Sequence, residues 1–368
     1  MDFSLTEEQV LLRDSVAKFV SENCGVDRHR ALCAQGKSFD PGTWQSFAEL
    51  GWLAVPFDEE LGGLGGGATE LMVMAEAMGG ALVREPYLHT VVTCGVLLDL
   101  AGSEEQKAAY LPAIIEGSAQ WALASVEDNS SYEPGAVATS AVASGDGYLL
   151  NGGKHAVLNG DAADRLIVTA QTGDGIALFV VDAAGDGVTR ESFVALDGGG
   201  GAHILLDNAA GQLLGGAGQG IDLLQRAIDR AIIFIGGEAL GAMTCLLEAT
   251  VEYTKTREQF GQPISKFQVL QHRMADMYMK VEETRSLLLN AAIQLDEGNP
   301  EAPAACAALK VKVADAGRHV SQEAVQLHGG IGMTDELIVG HHYKRLLLLG
   351  KLYGDEEYYL QRYASLAA

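Results

Sequence analysis

The chain has 368 residues, 48% of them hydrophobic and 20% charged, with a formal net charge of −24 and a pI near 4.6. That length accommodates two or three domains and a large core, and that charge argues against nucleic acid or an anionic membrane as a partner. A small anionic ligand stays possible, because a local basic pocket can sit in an acidic protein.

The N-terminal MDFSLTEEQ lacks the basic and apolar regions of a secretory signal. Ser4 or Thr6 can cap a first helix, with Val10, Leu11, Val16, Phe19 and Val20 on its apolar face. Residues 39–53, with Trp44, Phe47 and Leu50, predict a second. The following PFDEELGGLGGGATE has neither the preceding strand nor the following lysine of a phosphate loop, so it reads as a connection between helices. Residues 71–82 predict a buried Ala/Met-rich helix, and residues 104–116 close a helical domain spanning 1–118.

Composition shifts at Trp121 towards Gly, Val, Thr and Ala in short apolar runs. GDGYLLNGGKHAVLNG predicts strands joined by an Asp146-Gly147 hairpin turn. Two further strands are expected at 165–170 and 176–181, with a flexible connection at 198–201. Together these make a compact antiparallel β domain over 119–216. From 217 to 368 the pattern is helical, with long segments at 221–256, 267–297, 302–327 and 335–368. Four such helices with short links predict an up-and-down bundle. The expected fold class is α+β: N-terminal helical domain, middle antiparallel β domain, C-terminal four-helix bundle.

The five cysteines, Cys24, Cys33, Cys94, Cys245 and Cys306, form no CxxC pair. Neither a metal site nor a disulfide frame is expected, and reduced thiols fit a cytoplasmic protein. The leucine run at 346–349 is far too short to cross a bilayer.

The most informative stretch is YTKTREQFGQPISKFQVLQHRMADM at 253–277. It begins on a helix, breaks at Gly261-Gln262-Pro263 and resumes near Phe267. The break carries Arg257 and Gln259, with Gln268 on the next turn. A guanidinium and amides beside a helix N-terminus suit a phosphate-bearing ligand. The same spacing also fits a surface arginine flanking a helical hairpin.

TREQFGQPISKFQ, together with QLHGGIGMTDE at 326–336, closely resembles the acyl-CoA dehydrogenase family. The resemblance covers most of the chain and is strongest in its last third. It implies FAD as cofactor, an acyl-CoA substrate oxidised across Cα–Cβ, a carboxylate base and an electron-transfer acceptor. On the family pattern Arg257 pairs with the FAD pyrophosphate, and Gln268 and Gln326 reach towards the adenosine end. Gln259 and Phe260 complete that arm, and Gly329-Gly330 lets backbone amides approach the ligand. In the family this ADP arm serves a flavin bound largely to a neighbouring subunit.

Two other parts of the pattern are missing. Where the family has a TEPGxGSD-like string for the flavin ring, this chain has ASVEDNSSYEPGAVATS, echoing it only at Glu133-Pro134-Gly135. Where the family has Trp-Ile-Thr before Asn-Gly, it has Ala156-Val157-Leu158 before Asn159-Gly160. One family position for the base falls on Tyr353 by spacing from Gln326, and the other falls near Ala231. Asp355, Glu356 and Glu357 are close by, and Glu356 or Asp355 could substitute after a shift of about one helical turn. They also suit a solvated helix start.

An intact ADP arm, a poor ring cradle and an absent base resemble the smaller, base-less subunit of a heteromeric α2β2 acyl-CoA dehydrogenase. A second dehydrogenase-like subunit would then carry the base. Such enzymes act on bulky CoA thioesters, sterol side chains among them. Two alternatives stay open: a self-sufficient homotetramer using Glu356 or Asp355, and a non-catalytic scaffold of the same fold. Among the remaining candidates, His341-His342 is adjacent and so does not present two ligands on one helix face. His328 lies inside the glycine motif, Asp229-Arg230 lies where the family meets the CoA nucleotide, and Ser130-Ser131 has no evident histidine partner.

Overall fold

The computed structural model describes residues 4–128, 130 and 132–367. Its α-helices are α1 (Glu7–Asn23), α2 (Val26–Ala34), α3 (Pro41–Glu49), α4 (Ala68–Gly80), α5 (Val96–Ala101) and α6 (Glu104–Ile115), followed by α7 (Gly220–Thr256), α8 (Gln268–Asp296), α9 (Ala302–His328), α10 (Ile338–Leu349) and α11 (Glu356–Leu366). The main strands are β1 (Trp121–Ala124), β2 (Ser140–Ser144), β3 (Gly147–Leu158), β4 (Arg165–Thr172), β5 (Gly175–Asp182), β6 (Val188–Val194) and β7 (Gly200–Leu214). Helices, then sheet, then helices is the expected order. Compactness divides the chain differently. One unit gathers Met1–Ala34, Gly67–Val83 and Ile232–Ala368, and the other gathers Gln35–Gly66 and Arg84–Ala231.

In the first unit Thr6, not Ser4, caps α1, through a reciprocal box in which Gln9 N donates to Thr6 Oγ1 and Thr6 N to Gln9 Oε1. Val16 and Val20 are buried, but Leu11, expected on the same face, is 69% exposed. The first amides of α4 find their acceptor at the far end of α8. Asp296 receives Ala68 N at 2.6 Å, Thr69 N at 3.0 Å and Thr69 Oγ1 at 2.6 Å. A carboxylate there also faces the positive end of the α4 dipole.

The segment expected as one helix over 335–368 is two, α10 and α11. Tyr353 has φ 56° and Gly354 φ 135°, neither helical. The buried Lys310 of α9 fixes the break, its Nζ donating to Gly350 O at 2.9 Å and Gly354 O at 2.7 Å. Asp355 then caps α11 through Tyr358 N. By length and composition alone the 37-residue α7 is long and apolar enough to cross a bilayer, unlike the leucine run at 346–349. However, 78% of its apolar window is buried inside the protein.

The second unit is built on a seven-stranded sheet. β4 pairs with β5 and also meets β2 at Ser140↔Gln171, which closes the sheet on itself around Leu150, Val168, Phe179, Val181 and Ile204. The sheet is mixed rather than antiparallel, because β1 runs parallel to β4. The chain between them includes the β2–β3 hairpin, long enough for the crossover that parallel pairing needs. Ser144 pairs with Gly147, so the hairpin turn is Gly145-Asp146, one residue earlier than expected, with Gly145 at φ 60°. The flexible connection expected at 198–201 is instead half strand. Gly200 and Gly201 open β7, where a Cβ on Gly201 would meet the Phe193 ring at 2.5 Å.

Candidate functional site

The Arg257 segment is a small arm at the end of α7. Arg257 N donates to Tyr253 O at 2.9 Å, so the last helical turn delivers the arginine just past the helix. Glu258–Gln259 then pairs with Gln262–Pro263. The two-residue loop between them, Phe260 at φ 53° and Gly261 at φ 79°, has the left-handed pair of a tight hairpin turn. Phe260 is 91% exposed, and its ring meets that of Phe267 edge-on, 6.0 Å between centroids. Ile264 N closes the arm on Arg257 O at 2.8 Å, and α8 starts at Gln268.

Arg257 is exposed, and among the described residues its guanidinium has no hydrogen-bond or ion-pair partner. It lines a depression of about 390 Å³ with Tyr253, Thr256, His328, Gly330 and Ile331. Two of its lining residues are stacked, Tyr253 on His328 at 4.5 Å and 24°. His328 Nδ1 lies 2.8 Å from Ala324 O, and burial pushes its pKa below the usual histidine value against that hydrogen bond. Gly329 ends α9 at φ 64°, ψ −144°, a conformation open essentially to glycine alone. A Cβ on Gly329 or Gly330 would meet nothing within 4 Å, so the space beside both is free for something outside the chain.

Of the residues expected from sequence, the structure brings Arg257 and Gly330 together in this depression. Gln259, Phe260, Gln268, Gln326 and Gly329 are exposed but do not line it. Sequence reasoning passed over Tyr253 and Thr256. The signal for Tyr253 was its place four residues before Arg257 on the same helix.

The two segments that would face a flavin ring do lie side by side, since His155 N donates to Val126 O at 2.8 Å. Their polar groups are turned to each other. Glu127 receives Ala138 N at 2.7 Å, Thr139 N at 3.1 Å and the fully buried Lys154 Nζ at 2.6 Å. Burial pushes the Glu127 carboxyl up, but bonds from Lys154, Thr139 and Ala138 outweigh it and hold the group at about 2. Ser130 Oγ donates to Glu127 O and accepts from Glu127 N, while Ser131 lies outside the described residues. Ala156, at φ 50° in a bulge of β3, stands where the family has an aromatic ring.

Neither family position for the base is a carboxylate. Ala231 is fully buried, and Tyr353 sits in the α10–α11 break. Asp355 caps α11 and meets Lys351 Nζ at 3.1 Å, and Glu356 meets Arg318 Nη2 at 3.0 Å. His341 and His342 are buried, and the described residues contain no cluster of three or more potential metal ligands.

The family model described as acyl-CoA dehydrogenase, N-terminal domain, matches residues 6–118, and the one described as acyl-CoA dehydrogenase, C-terminal domain, matches residues 218–365. The chain is 33% identical over 350 residues to the probable acyl-CoA dehydrogenase YngJ of Bacillus subtilis, covering 91% of each protein. Among solved structures it resembles a chain of the ChsE4-ChsE5 complex from Mycobacterium tuberculosis, with a TM-score of 0.92, 29% identity and coverage of 99% and 98% of the two chains. It also resembles butyryl-CoA dehydrogenase of Megasphaera elsdenii, with a TM-score of 0.93, 27% identity and full coverage of both chains. The α+β order, the arginine arm beside Gly330 and these matches converge, and the chain belongs to the acyl-CoA dehydrogenase family.

Proposed function

We propose that this chain is one subunit of a heteromeric flavin-dependent acyl-CoA dehydrogenase, and that it supplies the ADP-binding arm while an unlike partner supplies the ring pocket and the base. The observation carrying this reading is Arg257: exposed, without a partner among the described residues, and set beside the open backbone of Gly330. FAD is the cofactor of the family and supplies the hydride acceptor when bound. The residues present here fit its ADP half and not its ring. Arg257 offers a planar, permanently charged fork for phosphate oxygens, and the Gly329-Gly330 backbone can come close.

The segment that would cradle the ring is closed by Glu127 and Lys154 and presents Ala156 and Val157 in place of an aromatic ring and its neighbour. The α-proton of an acyl thioester is a weak acid, so desaturation needs a base within hydrogen-bond reach. The partner is therefore the source of that carboxylate. A two-chain site of this kind suits a bulky acyl-CoA, with electrons leaving to a separate acceptor. We place the enzyme in the cytoplasm on the strength of its five cysteines, none of them in a disulfide.

The test is co-expression with a second acyl-CoA dehydrogenase-like chain carrying a glutamate base. The expected product is a complex holding a single FAD for each pair of unlike chains, with little flavin on this chain alone. Full flavin loading and dye-coupled turnover by this chain alone would overturn the proposal.

A further inference from the structure

The five thiols differ sharply in what surrounds them. Cys94 and Cys306 are buried, Cys24 and Cys245 are half-buried, and Cys33, in the last turn of α2, is exposed. Burial, with Glu248 adding to it, pushes the Cys245 thiol up to about 11, and burial raises Cys94 as well. Cys33 has a base beside it. One turn earlier on the same helix face, His29 places Nε2 3.7 Å from the Cys33 sulfur. That imidazole is 5% exposed and packs edge-on against His341, 4.7 Å between centroids. His341 Nε2 donates to Asp335 O at 2.9 Å, and the Asp335 carboxylate receives Arg30 Nε of α2 at 2.9 Å. All of these groups belong to the same compact unit. The fold thus holds the His29 ring in place beside a thiol that solvent can reach.

We propose that Cys33 is a modification site, where the thiol, with His29 as its base, takes up one half of a low-molecular-weight disulfide. A cysteine attacks as the thiolate, not the thiol. The carbonyl end of α2 opposes a negative charge on Cys33, so exchange there depends on a group that removes the proton. His29 Nε2 can do so when the neutral ring carries its own proton on Nδ1. The Cys33 proton passes to Nε2 and the thiolate attacks one sulfur of the disulfide RS–SR. The Cys33 S–SR bond forms as the RS–SR bond breaks, and the departing RS⁻ takes the proton back from His29 as RSH. Cys33 is oxidised, one half of the disulfide is reduced, and no further oxidant enters.

Incubation of the folded, full-length chain with oxidised glutathione, followed by intact mass and peptide mapping, tests this. A single glutathione should add at Cys33 with release of an equal amount of reduced glutathione, and Cys33→Ser should stay unmodified over the same time. His29→Gln should slow the addition about tenfold at neutral pH, where a free thiol is only a few per cent thiolate. Near about pH 10 the variant should match the parent, because an exposed thiol ionises there unaided. The unaltered protein supplies a comparison that needs no substitution in the core. Its Cys33 should react about tenfold faster at neutral pH when folded than when unfolded in urea. Any of four results would overturn the inference: another cysteine modified first, a folded rate no higher than the urea rate, no slowing in His29→Gln, or equal slowing at both pH values.

Discussion

Lys154 Nζ donates to Glu127 Oε1 at 2.6 Å and to Thr169 Oγ1 at 2.9 Å, with the lysine wholly shut off from solvent. A buried ammonium without its carboxylate is costly, so Glu127→Ala should destabilise the protein by about 3–5 kcal/mol in urea unfolding. Lys154→Met should cost less, about 1–3 kcal/mol, because Glu127 keeps the Ala138 and Thr139 amides. The pair also sets an acid limit. Glu127 titrates at about 2 in the fold against 4.5 unfolded. The unfolded chain takes up the proton first, so this contribution is complete above pH 4.5 and is lost as pH falls towards 2. Equal acid denaturation of Glu127→Gln and the unaltered protein would contradict this.

Arg257 separates ligand binding from folding. Its guanidinium has no partner among the described residues, so Arg257→Ala should leave the unfolding free energy within about 0.5 kcal/mol of the parent. In the purified complex the same change should lower FAD affinity by about 1.5–3 kcal/mol, the worth of a charge-assisted bond. Arg257→Lys should recover only part of it, because an ammonium cannot make the forked contact. Flavin content read from absorbance after dilution provides the check.

The legible parts of this chain were those whose signal is local. The capping box at Thr6 and Gln9 lies within four residues, and the Arg257 hairpin is announced by Gly261 and Pro263 next to it. β7 was invisible because Gly200, Gly201, Asp207, Asn208 and Gly211 have the composition of a loop. They belong to a strand because β3 runs along one edge of β7, while β6 and then β5 run along the other. The α10–α11 break was missed for a related reason. Lys310 looks like a solvated helix residue, and only the fold brings it under Gly350 and Gly354. At the site, sequence showed that the ring-facing residues were changed. It did not show that Glu127 closes the segment, since its partner Lys154 lies 27 positions away.

A second pH response belongs to His342, fully buried in α10 close to His29 and His341. Burial is the main cause that holds it at about 3, against 6.5 unfolded. The fold keeps this ring neutral while the unfolded chain binds a proton below 6.5. Its contribution is therefore complete above pH 6.5 and falls as pH drops towards 3. The slope from one such group is about 1.4 kcal/mol per pH unit. His342→Leu should flatten the dependence of stability on pH between 4 and 6, whatever it does to stability at pH 8. An unchanged slope would show that the folded ring takes up its proton as readily as the unfolded one.

Asp355 and Glu356 decide between a chain that leans on a partner for its base and one that supplies its own. Asp355 caps α11 by accepting from Tyr358 N at 3.1 Å, and that bond, with help from Lys351, holds its carboxyl below the usual range. A base must take a proton, and a carboxylate committed to a helix start is poorly placed to do so. Asp355→Asn keeps a capping side chain and should cost little, whereas Asp355→Ala should cost about 1 kcal/mol of stability. Glu356→Gln removes an ion pair to Arg318 that is half exposed on the arginine side, worth about 0–1 kcal/mol. In the co-expressed complex, Asp355→Asn and Glu356→Gln should both keep the parent turnover, measured with a dye acceptor at saturating acyl-CoA. A loss of about a hundredfold or more in kcat from either, with FAD still bound, would make that carboxylate the base and the chain self-sufficient.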